Sequence, residues 1–160
     1  NQTTPKSPQI MIRFVSADGT SLPRQRRMLR LWLETIASHH GAQIDHLSYA
    51  FGSSSWMADL NQRYLAHEGD TDILTFDYSG PGSQSSIKGT GSPRLINGEC
   101  CISPGMIREQ AAFWKTTFEE EMHRVLVHGL FHLLGFDDRT PTQKKLMRSL
   151  EEKALALRRL

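Results

Sequence analysis

The sequence predicts one α+β or α/β domain in which a four-stranded sheet packs against helices. Its length of 160 residues suits a single domain, and 38% hydrophobic with 22% charged residues is typical of a globular chain, not of a disordered one. Segments with strand-like and helix-like patterns alternate along the chain with short connections between them. One helical segment is apolar on almost every side, so it is expected at the centre of the domain.

The first part of the chain predicts two strands with a helix between them. Apolar residues alternate over 9–18 and again over 44–51, and a period of two is typical of strands. The helix is expected to begin near Ser21, which can cap it, with Pro23 in its first turn. Gly41 is expected to end it, because glycine readily adopts the left-handed conformation found at helix ends. The predicted buried stripe of this helix comprises Met28, Leu29, Trp32, Leu33 and Ile36.

The middle of the chain predicts two further strands, two helices and a long loop. A short helix is expected over 54–65, and a strand over 71–78, which is rich in β-branched and aromatic residues. Residues 79–94 are dense in glycine, serine and proline, so we expect a flexible loop there. A fourth strand over 95–103 follows, and then a helix over 104–114 that a proline opens.

The last part of the chain predicts the central helix and a terminal helix. Thr117 begins a capping box, so the central helix is expected to start at Phe118 and to stop at Gly135. A second capping box, Thr140 with Gln143, opens the terminal helix. The apolar seam of the central helix comprises Met122, Leu126, Leu130 and Leu133. The predicted buried stripe of the terminal helix comprises Leu146, Leu150, Ala154 and Leu157.

Charge, cysteines and the N-terminus limit the possible partners and location. The net charge of +2 and the pI near 8.7 permit a nucleic-acid partner without requiring one. Cys100 and Cys101 are neighbours on a predicted strand and point to opposite faces, so a disulfide between them is not expected. Free thiols favour a reducing cytoplasm. Residues 1–9 are predicted to be a flexible polar tail, and no apolar run is long enough to span a membrane.

The central helix carries two histidines that indicate a metal site. His128 and His132 are four residues apart and therefore share one face of the helix. Two core histidines bonded to backbone carbonyls are the alternative, but each unpaired buried polar group would cost about 1–3 kcal/mol. The spacing H-x-x-x-H-x-x-G-x-x-D makes Asp138 the favoured third ligand, with Asp137 as the alternative. Two imidazoles, one carboxylate and an open position describe a catalytic zinc site, and iron, nickel or manganese would also fit.

Gly129 separates this pattern from that of zinc proteases. In the H-E-x-x-H proteases, a glutamate directly after the first histidine is the general base. Gly129 has no side chain, which argues against peptide hydrolysis by that route. A metal can still lower the pKa of bound water towards about 7 and stabilise charge on a phosphate, so phosphodiester cleavage remains open to such a site.

The segment HGLFHLLGFDD, residues 128–138, resembles the H-G-x-L-H-L-x-G-[YF]-D-H motif of the YbeY family of bacterial rRNA-maturation endoribonucleases. Three further segments resemble family segments in the same order: LNQRYL at 60–65, TDILTFD at 71–77 and INGECCIS at 96–103. The resemblance implies that residues 1–160 form a single domain with a mixed sheet and a central metal-bearing helix.

The same resemblance implies a function. It is that of a cytoplasmic, Zn²⁺-dependent, single-strand-specific endoribonuclease, acting at the 3′ end of 16S rRNA and in ribosome quality control. The partner would be rRNA of the small ribosomal subunit, and neither a membrane nor DNA is expected as a partner. Residue by residue, His128 and His132 match the first two metal ligands, and Asp138 falls on the third, which is usually histidine.

Two departures from the family pattern affect the chemistry. Aspartate at 138 adds a negative charge and makes the metal a weaker Lewis acid. The arginine of the family's L-N-x-x-x-R helix, a plausible phosphate clamp, aligns with Leu65. Arg63 and His67 lie two positions either side and are the candidates to replace it as catalytic residues.

A metalloprotease-like hydrolase and a ribosome-associated protein with a structural metal are the alternative functions. Further cations that could meet RNA are Arg24, Arg26, Arg27, Arg30, Lys144, Lys145 and Arg148.

Overall fold

A computed structural model describes residues 10–64, 73–79 and 93–159 of the chain, which form four strands and five helices. The strands and helices alternate as far as β3, and the last three elements are all helices. In chain order the elements are β1 (Met11–Ser16), α1 (Arg26–His39), β2 (Ala42–Phe51), α2 (Ser54–Tyr64), β3 (Ile73–Asp77), β4 (Arg94–Ile102), α3 (Pro104–Trp114), α4 (Phe118–Leu133) and α5 (Pro141–Ala156).

The four strands form one mixed sheet with the order β1-β2-β4-β3. β1, β2 and β4 are parallel to one another, while β3 pairs antiparallel with β4 and forms one edge. The mixed α+β architecture that the sequence and the family resemblance predict is therefore confirmed. The parallel strands β1 and β2 are joined through α1, as a parallel connection requires a crossover.

The two faces of the sheet carry different helices. Alternate residues of a strand point to opposite faces. On one face, Tyr49 and Cys100 belong to the main core together with residues of α1, α4 and α5. On the other face, Ala50 and Cys101 pack with Met57 of α2. The central helix α4 and the shorter helix α2 therefore lie on opposite sides of the sheet.

Helix α4 approaches β4 closely at two glycines. A Cβ atom on Gly98 would lie 2.6 Å from a methyl carbon of Leu133. A Cβ atom on Gly129 would lie 2.7 Å from the sulfur of Cys100, so Gly129 faces the sheet. Contacts this close leave no room for a side chain at either position. The helix with the two histidines is thus held firmly against the sheet, with Gly129 on its inner side.

Helix α1 starts later than the sequence predicts. It begins at Arg26, and Pro23 is buried in the preceding connection instead of standing in the first helical turn. The Arg26 guanidinium donates to the Pro23 carbonyl at 2.9 Å, which helps to hold that connection. The rest of the predicted stripe is buried, but Met28 is 36% exposed. Gly41 follows the helix with a φ of +70°, so the predicted stop is confirmed.

The predicted buried stripe of α5 is wrong at both ends. Leu146 and Leu157 are 51% and 44% exposed. The helix is rotated so that its inner face comprises Met147, Glu151, Ala154 and Leu155. The physical reason is that Glu151 turns inward to meet polar groups on α4, and this displaces the expected leucines towards solvent.

The remaining expectations about the fold are largely confirmed. Both cysteines are free and buried. The capping box of Thr140 is complete, whereas that of Thr117 is half formed, because the Glu120 carboxylate accepts from Thr116 instead of closing the box. The predicted flexible segments lie outside the described residues, except for Ser79, Pro93 and Arg94 of the predicted loop, and Arg94 is the first residue of β4. In the part of the chain that the structure describes, no helix is both long and apolar enough to cross a membrane.

Candidate metal centre

Three side chains from the end of α4 and the following turn form the candidate site. His128 and His132 project from one face of α4. The helix ends at Gly135, whose φ of +99° is the left-handed conformation that favours glycine. This turn reverses the chain and brings Asp138 back to the two imidazoles. Asp137, the alternative third ligand, is exposed and does not belong to the group.

The spacing of the three groups suits a small divalent cation. The Nε2 atoms of His128 and His132 are 3.0 Å apart. The Asp138 carboxylate oxygens lie 3.3 Å from Nε2 of His128 and 3.5 Å from Nε2 of His132. Ligands of a tetrahedral zinc ion at about 2.0–2.1 Å from the metal lie about 3.3 Å from one another. Two imidazole nitrogens and one carboxylate oxygen therefore fit Zn²⁺ in both chemistry and spacing.

Glu151 of α5 orients the first imidazole. Its carboxylate lies 2.7 Å from Nδ1 of His128. Because an ionised carboxylate only accepts, Nδ1 carries the proton and donates, which leaves the Nε2 lone pair directed at His132 and Asp138. A carboxylate behind a histidine ligand fixes both its tautomer and its orientation. Sequence reasoning missed Glu151. The available signal was a glutamate on the same side of the helix as buried apolar residues.

Arg124 balances the carboxylates around the histidine. Its guanidinium lies 3.3 Å from Glu121, 3.6 Å from Glu151 and 2.9 Å from Glu152. Its side chain is only 11% exposed. Glu121 and Glu151 are both buried, and a buried carboxylate without a cation is costly. Arg124 therefore compensates the negative charge that Glu151 brings next to His128.

The state of His132 also suits a ligand. Burial, followed by repulsion from His128, lowers the pKa of His132, and the Asp138 carboxylate opposes this shift. The neutral imidazole is the form that binds metals. His132 therefore offers a lone pair near neutral pH without first losing a proton.

A family model described as "Endoribonuclease YbeY" matches residues 15–158. The chain belongs to the YbeY family. Among curated relatives with that description, the one from Cytophaga hutchinsonii is 37% identical over 91% of this chain and 94% of its own length. The one from Bacteroides thetaiotaomicron is 32% identical over 88% of this chain and 95% of its own length. The solution structure of TM1509 from Thermotoga maritima has a TM-score of 0.60 at 24% identity, covers 91% and 87% of the two chains, and shares the fold.

The site keeps the YbeY motif with one change of ligand chemistry. The YbeY motif usually has histidine where this chain has Asp138, and here the carboxylate reaches both imidazoles. The exchange adds a negative charge, so the group as a whole attracts a cation more strongly than three neutral imidazoles would. The same charge reduces the Lewis acidity of a bound metal.

Gly129 offers no place for the general base of a zinc protease. It faces the sheet, and a side chain there would meet the buried sulfur of Cys100. The missing glutamate is therefore a consequence of the way this YbeY helix packs. The position cannot serve the metal group, so peptide hydrolysis through such a base is disfavoured.

Only one of the two candidate substitutes for the YbeY arginine lies among the described residues. Arg63 is exposed in the last turn of α2, on the side of the sheet away from α4. His67 and Leu65 lie outside the described residues. A catalytic role for Arg63 or His67 stays a prediction.

Proposed function

We propose that this protein is a metal-dependent, single-strand-specific endoribonuclease that matures the 3′ end of 16S rRNA and acts in ribosome quality control. The observation that carries the proposal is the group of His128, His132 and Asp138, which preserves the YbeY motif in a spacing suited to Zn²⁺. Its relatives are named endoribonucleases, which supports RNA as the substrate. Residues 1–160 would form one metallohydrolase domain, active in the cytoplasm, where its two free thiols are stable.

Each residue of the candidate site would have a separate role. His128, His132 and Asp138 would hold one Zn²⁺ or another divalent metal, which supplies a Lewis acid for activating water and polarising a phosphodiester. Glu151 would hold the proton at Nδ1 of His128, so that Nε2 presents its lone pair on the side of His132 and Asp138. Arg124 pairs with the buried carboxylates of Glu121 and Glu151. Gly129 carries no side chain, so this position supplies no general base.

We infer that Lys144 on α5 contacts the RNA backbone. Helix α5 runs antiparallel to α4, because Glu151 meets His128 while Arg158, further along, meets His123. Lys144 is two helical turns before Glu151 and shares its face. It therefore lies at the level of the end of α4, where the metal group is. Lys144 is exposed and free to meet phosphate.

Lys145 provides a matched control for Lys144. It is also exposed but is rotated by about 100° around α5, away from the α4 side. Lys144→Gln and Lys145→Gln remove the same charge, yet we expect only the first to raise the KM for RNA. We also expect Lys144→Gln to reduce the salt slope by about one, which is the loss of one phosphate contact. Equal effects of the two variants would mean that only the overall charge matters.

Arg63 and His67 remain the proposed substitutes for the family arginine. If either clamps phosphate, its alanine variant should lower kcat/KM on RNA without changing Zn²⁺ affinity. Leu65→Arg, which restores the family residue, should then raise the activity or rescue the alanine variant. Unchanged activity in both alanine variants would remove Arg63 and His67 from the catalytic site.

The proposed function is tested by cleavage of a defined RNA. A single-stranded RNA with the 16S 3′-end sequence should be cleaved by the Zn²⁺-loaded protein, and the same sequence in a duplex should resist. A chelator should stop cleavage, and added Zn²⁺ should restore it. Casein serves as the control for a protease. Metal-loaded protein that cleaves casein, or that cleaves no RNA while a chelator lowers its melting temperature, would contradict the proposal in favour of one of the two alternatives.

A further inference from the structure

The C-terminal end of α4 has carbonyl groups that the helix itself cannot satisfy. Backbone N–H groups of the turn take up three of them in a Schellman arrangement. These bonds are Leu134 N to Leu130 O at 2.9 Å, Gly135 N to His132 O at 3.0 Å and Phe136 N to Phe131 O at 3.0 Å. The carbonyls of Leu133 and Leu134 are left for partners outside the helix.

One side chain supplies both of these partners. The Arg94 guanidinium donates from one nitrogen to the Leu133 carbonyl at 2.7 Å and from another to the Leu134 carbonyl at 2.6 Å. The planar guanidinium presents its donors in a rigid fork, and hydrogen bonds from a charged donor are the stronger kind. A cation at this position also meets the negative end of the helix dipole. Arg94 therefore completes the hydrogen bonding of the turn.

Arg94 itself is anchored in the sheet. It is the first residue of β4, and its backbone N–H donates to the Gly41 carbonyl at 3.3 Å. The turn also has an apolar support, since the ring of His40 meets the rings of Phe131 and Phe136 edge-on at 5.5 and 5.6 Å. The polar support comes from Arg94, and the two together fix the end of α4 against β4 and the end of α1.

Asp138 depends on this turn for its position. It lies three residues after Gly135, outside any helix or strand, with its side chain partly exposed. The polar contacts of its carboxylate in the described part of the chain are those with the two imidazoles. The two histidines are fixed by α4 itself, so the third group is the one whose placement requires the turn.

We propose that Arg94 is a positioning residue for the third metal ligand. It touches none of the reacting atoms and acts by fixing the end of α4, and hence the direction in which the chain brings Asp138 to His128 and His132. This inference rests on the proposed metal site. It predicts that metal affinity, and not only stability, depends on Arg94.

Arg158 offers a matched control. It too is a partly buried arginine near a helix end, with its Nε donating to the Leu155 carbonyl at 2.9 Å and another nitrogen donating to His123. Its contacts with α4 are at His123 and Glu120 in the first half of that helix, and not at the turn that leads to Asp138. Arg94→Gln and Arg158→Gln both remove a guanidinium from helix-end carbonyls, so both should lower the melting temperature of the metal-free protein.

The experiment measures Zn²⁺ dissociation constants by competition with a chromophoric chelator. We expect Arg94→Gln to weaken Zn²⁺ binding by about 10-fold to 100-fold, the range found when groups that orient metal ligands are removed. Arg158→Gln should leave the dissociation constant unchanged. Arg94→Lys keeps the charge but lacks the fork, so it should fall between wild type and Arg94→Gln. If Arg94→Gln does not fold, the Zn²⁺ dissociation constant of Arg94→Lys is compared with that of Arg158→Gln instead.

The visible spectrum of Co²⁺-loaded protein gives a second readout. Loss of the carboxylate ligand changes the coordination of Co²⁺, and Asp138→Asn provides the reference spectrum. The spectrum of Arg94→Gln should move from that of wild type towards this reference. Wild-type affinity and spectrum in Arg94→Gln would overturn the inference and leave the proposed function intact. Wild-type protein that takes up neither Zn²⁺ nor Co²⁺ would overturn the proposed function and the inference with it.

Discussion

Helix α4 carries histidines in two different settings. In its first half, His123 is 2% exposed, its ring lies 5.9 Å from that of Trp32, and Arg158 donates to its Nδ1 at 2.8 Å. In the second half, His128 and His132 are partly exposed, and their nearest charged groups are carboxylates. Burial, and then the Arg158 cation, lower the pKa of His123 from 6.5 to about 4.

The sign of the neighbouring charges separates a packed histidine from a candidate ligand. A buried imidazole next to a cation stays neutral, because burial and the neighbouring positive charge both disfavour a second positive charge there. Two imidazoles whose lone pairs meet beside a carboxylate form a group that a divalent metal stabilises. All three histidines interrupt an apolar helix, but only His128 and His132 have the charge environment of a metal site.

The largest expected difference between the two settings comes from removing a histidine. His128→Ala deletes a proposed ligand, so we expect Zn²⁺ affinity to fall by more than about 100-fold, beyond the usual effect of outer partners. His123→Gln deletes a packed ring and should lower stability while leaving Zn²⁺ affinity unchanged. Chelator competition on both variants checks this. An equal loss of affinity in His123→Gln would contradict the distinction between a packed histidine and a metal ligand.

A smaller effect is expected from the carboxylates that surround Arg124. Glu151 and Glu152 both form ion pairs with Arg124, but only Glu151 reaches His128. Glu151→Gln should therefore weaken Zn²⁺ binding by about 10-fold to 100-fold, whereas Glu152→Gln should have little effect. Titration of both variants with Zn²⁺ under identical conditions is the test. A stronger effect from Glu152→Gln would show that net charge, and not the orientation of His128, controls the affinity.

The smallest effect concerns the pH dependence that His123 adds to stability. Between pH 6.5 and about 4 the unfolded chain protonates His123 while the folded chain does not, so the unfolded state binds more protons. The stability that neutral His123 allows is fully present above pH 6.5 and is lost as the pH falls towards 4. Urea unfolding of metal-free protein should therefore show a steeper loss over this window in wild type than in His123→Gln. Parallel curves would contradict a buried neutral His123.

Local patterns predicted much of the fold and of the candidate site. Helix geometry converts the spacing of His128 and His132 into proximity, and the glycine after the helix indicates the turn that precedes Asp138. The alternating strands and the capping residues of α4 and α5 are likewise short-range signals. These features depend on residues within a few positions of one another, which is why one sequence suffices to predict them.

Long-range contacts could not be predicted from the sequence. The bond between Glu151 and His128 spans 23 residues, and that between Arg94 and Leu133 spans 39. Whether such side chains meet depends on how helices rotate and pack, and no local pattern contains that information. The exposed Leu146 in α5 has the same origin, because the helix turns a glutamate inward where apolar periodicity favours a leucine. The strand order of the sheet was likewise not predicted.

The most direct test of the proposed metal site is to follow RNA cleavage as Zn²⁺ is added back to metal-free wild-type protein. We predict no cleavage of single-stranded 16S 3′-end RNA at the start, a rate that rises with added Zn²⁺, and saturation at one equivalent per chain. His132→Ala should stay inactive throughout. Cleavage by metal-free wild type, or the same zinc-dependent activity in His132→Ala, would contradict a nuclease site built on His128, His132 and Asp138.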